Sequence, residues 1–190
     1  MPCTDGITAN IVSNCTTTPT GGAEVKAWVM NREDVTFTFD SANPSKITAA
    51  TMGSGKQAWT LIGIKSLHNA GQDMTADNTR PDRYTHFFST QGFEISAAAR
   101  ENLDAANDIV VIVERKNKGA DGDGTFIVLG AKYGLFKSTD TERLNDIDGA
   151  RNIEWTSLET SLEPYSMYTF FDTDYDTTKT AIEALDTPPA

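Results

Sequence analysis

Ile109-Val110-Val111-Ile112-Val113 and Phe126-Ile127-Val128-Leu129, flanking Asn117-Lys118-Gly119-Ala120-Asp121-Gly122-Asp123-Gly124, decide how the chain is read. Both apolar runs are short, rich in β-branched residues and bounded by turn residues, as strands buried on both faces are. The Gly/Asp segment between them supplies the left-handed conformations and local side-chain bonds that turns use. Further strand-like segments follow at Tyr133–Ser138, Ile153–Glu159 and Tyr165–Phe171, the first two separated by Asn145-Asp146-Ile147-Asp148-Gly149. No nucleophile, metal cluster or phosphate loop accompanies this run.

Working outward, Ala23–Met30 sets Val25, Ala27 and Val29 against Glu24, Lys26 and Trp28, the period of two of a half-buried strand. Val35–Phe39 repeats it after the turn Asn31–Asp34, and Ser41–Ser45 with Pro44 is a break. Ile47–Thr51 and Ala58–Ile64 are the next strands, with Gly53-Ser54-Gly55-Lys56 read as a hairpin connection in a meander. Residues Ser66–Arg83 form a long polar loop, a length that in a compact domain signals function or ordering by a partner. Tyr84–Ser89 resumes as a strand. One helix is expected over about 96–107, capped by Ser96, with Ala99, Leu103 and Ala106 on one face and Arg100, Glu101 and Asp104 toward solvent. A short helix, Thr178–Leu185 capped by Asp176 or Thr177, ends the pattern.

The 190 residues are enough for one domain, and 38% are hydrophobic, so a core is expected. Twenty-six threonines tilt the balance toward β structure. The organisation read is an extended arm over 1–22, with a short strand at Ile7–Val12, and a single β-rich domain over 23–190. Sixteen Lys and Arg against 27 Asp and Glu leave a net charge of −11, which repels phosphate and disfavours nucleic-acid binding. The basic group Arg115, Lys116 and Lys118 reads as a solvated hairpin end. Cys3 and Cys15 cannot build a disulfide framework, and free thiols are the default over pairing across the arm. The first residues lack the basic and apolar regions of a signal peptide, and no apolar run nears the ~20 residues that span a bilayer, so synthesis in a cytoplasm without membrane contact is expected.

Each chemical motif has a plainer reading. Gly53-Ser54-Gly55-Lys56 lacks the first glycine of a phosphate loop, at Ala50, and its Mg²⁺-binding hydroxyl, at Gln57. Asp121–Gly124 and Asp146–Gly149 would place the bidentate calcium ligand at Gly130 and Trp155, so both read as surface turns. Asn14-Cys15-Thr16 matches a glycosylation sequon that only secretion would use. His68 and His86, the two histidines, are too few for a metal triad, and scattered carboxylates single out no dyad. Trp155, Tyr165, Tyr168, Phe170, Phe171 and Tyr175 fit core or subunit contacts, with a stacking platform for sugars or bases as the sharper alternative. No cofactor, metal or catalytic residue is expected, and enzymatic activity is not.

Gly22–Val35, Gly119–Gly134, Asn145–Arg151, Glu163-Pro164-Tyr165 and Phe171–Tyr175 resemble the major tail (tail tube) proteins of long-tailed bacteriophages, particularly the type from phages of Bacteroidetes-like hosts. The resemblance spans nearly the whole chain but contains no invariant chemical motif. It implies a β-sandwich or barrel-like fold with one flanking helix, whose copies join edge strands into hexameric rings stacked as a tube in the virion. The implied partners are the chain itself, other tail proteins and DNA in non-specific passage. Asp73, Arg80 and Arg83 in the polar loop are the candidate inter-ring contacts, with Ser41–Lys56 as the alternative segment. The competing expectations are a stand-alone β-sandwich binding glycans or proteins, and another phage structural part such as a tail terminator.

Overall fold

The computed structural model describes residues 21–63, 67–76, 81–92, 96–118, 121–143, 145 and 151–188. The strand expected at Ile7–Val12, both cysteines and Arg80 lie outside these residues. The described chain is mainly β, in two sheets with two helices.

Its elements are β1 (Ala23–Asn31), a single 3-10 turn at Arg32–Asp34, β2 (Val35–Phe39), β3 (Lys46–Met52), β4 (Trp59–Ile62), β5 (Asn69–Thr75), β6 (Arg83–Gly92) and α1 (Ala97–Ala105). After these come β7 (Ile109–Arg115), β8 (Phe126–Leu129), β9 (Phe136–Glu142), β10 (Arg151–Thr156), β11 (Tyr168–Phe170) and α2 (Tyr175–Ala184). The larger sheet runs β2-β3-β11-β8-β7-β1-β4, antiparallel except where β11 pairs parallel with β3. The smaller runs β5-β6-β10-β9 and is antiparallel throughout.

The two apolar runs are β7 and β8, paired in the middle of the larger sheet, and every residue from Ile109 to Glu114 and from Phe126 to Leu129 is buried. Strand alternation sends their side chains into two cores. Ile109, Val111 and Val113 meet Phe88, Ile153 and Trp155 from the smaller sheet. Val110 and Ile112 join Trp28, Phe126 and Phe170 under Ile182 and Leu185, the latter just beyond α2. The molecule is therefore layered as α2, seven strands and four strands, and the central sheet is covered on both faces.

This layering corrects four readings. Trp28, placed on a polar face, is fully buried, because β1 lies between β7 and β4 and has no solvated face over Ala27–Met30. Gly53–Lys56 turns the chain but joins no hairpin: β3 pairs with β2 and β11, whereas β4 pairs with β1. Met52 and Ala58 enter the same core cluster as Leu185, and the Ala58 N–H donates to the Leu185 carbonyl at 2.7 Å, so this segment crosses to the far side of the sheet. The stretch expected as a loop over 66–83 contains β5, laddered to β6 from Asn69↔Ser89 to Thr75↔Arg83. α2 begins earlier than expected, capped by Asp174, whose carboxylate accepts the Thr177 N–H at 2.8 Å.

α1 occupies the expected segment, with Ser96 Oγ accepting the Ala99 N–H. It buries no residue fully, but Leu103 and Ala106 pack against the inter-sheet core. Trp155 Nε1 donates to the Ala106 carbonyl at 2.9 Å. Arg100 does not point free into solvent: it makes two parallel 2.7 Å bonds to the Glu142 carboxylate on β9. Asp104 pairs with Arg151 of β10.

Candidate functional site

The edges of the two sheets differ in chemistry. Sheets expose unpaired N–H and C=O groups at their edges, and charges or prolines there discourage pairing with another chain. On the smaller sheet β9 carries Lys137, Asp140 and Glu142, and β5 carries Asp73. The larger sheet ends in β2, Val-Thr-Phe-Thr-Phe, and in β4, Trp-Thr-Leu-Ile. Neither edge strand has a charged residue or a proline, and no described strand lies beyond either one.

β4 also exposes a large apolar side chain on each of its faces. Trp59 is 63% exposed and Ile62 74%, and they point to opposite sides of the strand, three residues apart. Leu61, on Trp59's face, packs into the inter-sheet core, which anchors the strand while its outer side stays open. At the other edge Phe39 is partly exposed and packs 5.7 Å from the Tyr168 ring. These surfaces did not stand out in the sequence, where Ala58–Ile64 reads as one more strand. The absence of charge from a short strand in a strongly acidic chain points to an edge only once the strand order is known.

Of the residues expected at a subunit contact, Asp73 lies in β5 opposite Thr85, and Arg83 opens β6 opposite Thr75. They are diagonal neighbours on one face of the smaller sheet, and neither forms an ion pair with a described residue. Arg83 borders a shallow cleft with Thr75, Tyr133, Glu159 and Leu162.

The buried histidine and glutamate side chains are hydrogen-bonded within the fold. His86 Nε2 donates to the Tyr165 carbonyl at 3.1 Å, and its Nδ1 accepts the Gly130 N–H at 3.2 Å, which fixes the neutral tautomer. Burial pulls its pKa down to about 4, against the opposing Tyr165 carbonyl. His68, expected in a loop, is buried beside β5. Its Nε2 donates to the carbonyls of Val25 and Leu61 and its Nδ1 accepts from Thr90 Oγ1, so burial holds it neutral too. Glu163 accepts the N–H groups of Lys132 and Tyr133 and the Tyr168 hydroxyl, and burial pushes its carboxyl above the usual range. At Glu114 burial acts in the same direction, but bonds from Lys118 and Tyr175 outweigh it and keep the carboxyl low.

No described group of three or more His, Cys, Asp or Glu side chains is arranged to hold a metal ion, and no described helix is long and apolar enough to cross a membrane. Trp155, Tyr168 and Phe170 are buried in the cores, so they offer no stacking platform. Tyr175 stacks on Phe126 at 5.6 Å. No family model, curated protein or solved structure matches the chain.

Proposed function

We propose that the chain is a virion structural protein whose copies join through the edges of the seven-stranded sheet into hexameric rings, stacked as the tail tube of a long-tailed bacteriophage. The observation that carries this reading is the uncharged, proline-free character of both terminal strands of one sheet. Two different strands, β2 and β4, end that sheet, so a contact from one to the other is head-to-tail. Such contacts close into rings or propagate into filaments. Main-chain hydrogen bonds would supply affinity, and Trp59 and Ile62 on the two faces of β4 would be covered by the incoming strand.

The mainly-β architecture with a flanking helix agrees with what the resemblance to tail tube proteins implies. The acidic balance gains a role in this setting: a conduit lined with carboxylates gives the DNA backbone no attractive well in which to stall. The chain's function is then its assembly, with itself and with other tail proteins as partners and DNA in transit.

Sedimentation velocity over a concentration series tests the proposal. A shift from monomer to species of six or more copies supports it, and a single monomeric boundary at every concentration and salt contradicts it.

A further inference from the structure

A second feature concerns a cation without an anion. Arg115 ends β7 opposite Ala23, on the strand face turned toward the smaller sheet. It lines a cleft of about 320 Å³ together with Gly22, Ala23, Asn69, Val113 and Met167, where the two sheets part. Arg32 is held by Asp108, Arg100 by Glu142 and Arg151 by Asp140 and Asp104, each with at least one two-pronged bond. Among the described residues, nothing hydrogen-bonds or ion-pairs with the Arg115 guanidinium. Burial is the one influence that moves its pKa, downward, with no carboxylate opposing it.

A half-buried, unpaired guanidinium is costly, because the desolvation of the charge is not repaid. Its planar fork matches a carboxylate with two parallel N–H···O bonds, and the apolar walls formed by Ala23, Val113 and Met167 would strengthen such a pair by excluding water. We propose that this cleft receives a carboxylate side chain from a second copy of the chain, clasped by Arg115. Charge complementarity selects that occupant. Each copy carries 27 acidic and 16 basic residues and a net charge of −11, so a cation at the contact offsets the repulsion between copies, and carboxylates are the charged groups a neighbour presents most. The inference rests on the assembly reading and adds to it a site away from β2 and β4, the edges of the seven-stranded sheet.

The test compares wild type, Arg115→Gln and Arg115→Lys by sedimentation over a concentration series, with thermal melts of the monomer at low concentration. Wild type assembles, Arg115→Gln needs at least tenfold more protein for half-assembly, and Arg115→Lys falls between, because an ammonium keeps the charge and loses the fork. The monomer melting temperature of Arg115→Gln is unchanged or higher. Assembly of Arg115→Gln at the wild-type concentration overturns the inference and leaves the assembly reading standing, whereas a wild type that never assembles overturns both. Asp5→Asn serves as the control for residues 1–20, whose one acidic residue it removes. If it and Arg115→Gln both lower the monomer melting temperature, the carboxylate comes from the same chain and the second-copy assignment fails.

Discussion

Trp59 stands opposite Val29 across the β1–β4 ladder, yet Val29 is 9% exposed and Trp59 63%. The two side chains share a face of the sheet, and on that face Leu61 of β4 still packs into the inter-sheet core while Trp59 lies outside it. Under the proposed assembly this indole, exposed on an uncharged edge strand, is covered by a neighbouring copy.

Lysine at both Trp59 and Ile62 therefore blocks assembly while sparing the fold. Both positions are largely exposed, so the monomer should lose no more than about 1 kcal/mol, within the usual range for surface changes. Urea unfolding of the double variant checks the second statement and light scattering the first. Retained assembly in the double variant would remove β4 from the contact.

Stability should fall as pH drops through the range in which His86 would protonate. Its folded pKa of about 4 lies below the ordinary 6.5, so the unfolded chain binds the proton first and stability rises with pH across that window. The contribution is complete above about pH 6.5 and lost toward pH 4, amounting to roughly 3 kcal/mol at most by linkage. His68 acts in the same direction, and Glu163, with its raised pKa, acts in the opposite one. Melting temperatures from pH 7.5 to 4.5 should show a slope that flattens in His86→Gln; an equal slope in that variant would assign the effect elsewhere.

Gly134 and Gly55 both have positive φ, 76° and 71°, but their surroundings differ. A Cβ on Gly134 would stand 2.0 Å from Asp108 Oδ1, the atom that accepts Arg32 Nε at 2.8 Å, while nothing lies within 4 Å of one on Gly55. Gly55→Ala should cost about 1 kcal/mol from backbone conformation alone. Gly134→Ala should cost about 3 kcal/mol, because the Arg32–Asp108 bonds must also give way. Equal losses in denaturant unfolding would show that the clash is relieved cheaply.

Trp155 couples α1 to the sandwich through its bond to the Ala106 carbonyl and its stacking on Phe88, 6.1 Å between ring centroids. Trp155→Phe leaves that carbonyl unpaired and opens space in the core, a loss of about 2–3 kcal/mol. Hydrogen exchange should report it as faster exchange across α1 than in β7; uniform acceleration would argue against a local coupling.

The parts of the fold legible in the sequence are those where burial acts on both faces of a strand. β7 and β8 could be read from composition alone, since nothing except a central strand keeps five consecutive β-branched residues out of water. β5 could not, because Asn-Ala-Gly-Gln-Asp-Met-Thr has weak strand propensity. It is held by its ladder to β6 and by the Phe87 ring, whose Cζ lies 2.5 Å from where a Cβ on Gly71 would be. Trp28 lies off the polar face because alternation assumes one solvated face, and β1 is covered on both faces over Ala27–Met30. The Gly53–Lys56 turn misled because a short linker implies neighbouring strands, and only the long-range contact of Ala58 with Leu185 carries the chain elsewhere. The edges at β2 and β4 were invisible for a related reason: which strand ends a sheet is set by non-local pairing, and the uncharged edge is a signal only once the order is known. Arg115 was seen as part of a solvated basic group, because the missing counter-charge is a fact of packing.

The central claim is that this chain's product is a tube, and negative-stain electron microscopy of the purified full-length protein tests it most directly. The account predicts rings or hollow rods with a central channel, absent from the Trp59, Ile62 lysine variant. Isolated single particles of one-chain size at every protein concentration and ionic strength would contradict it.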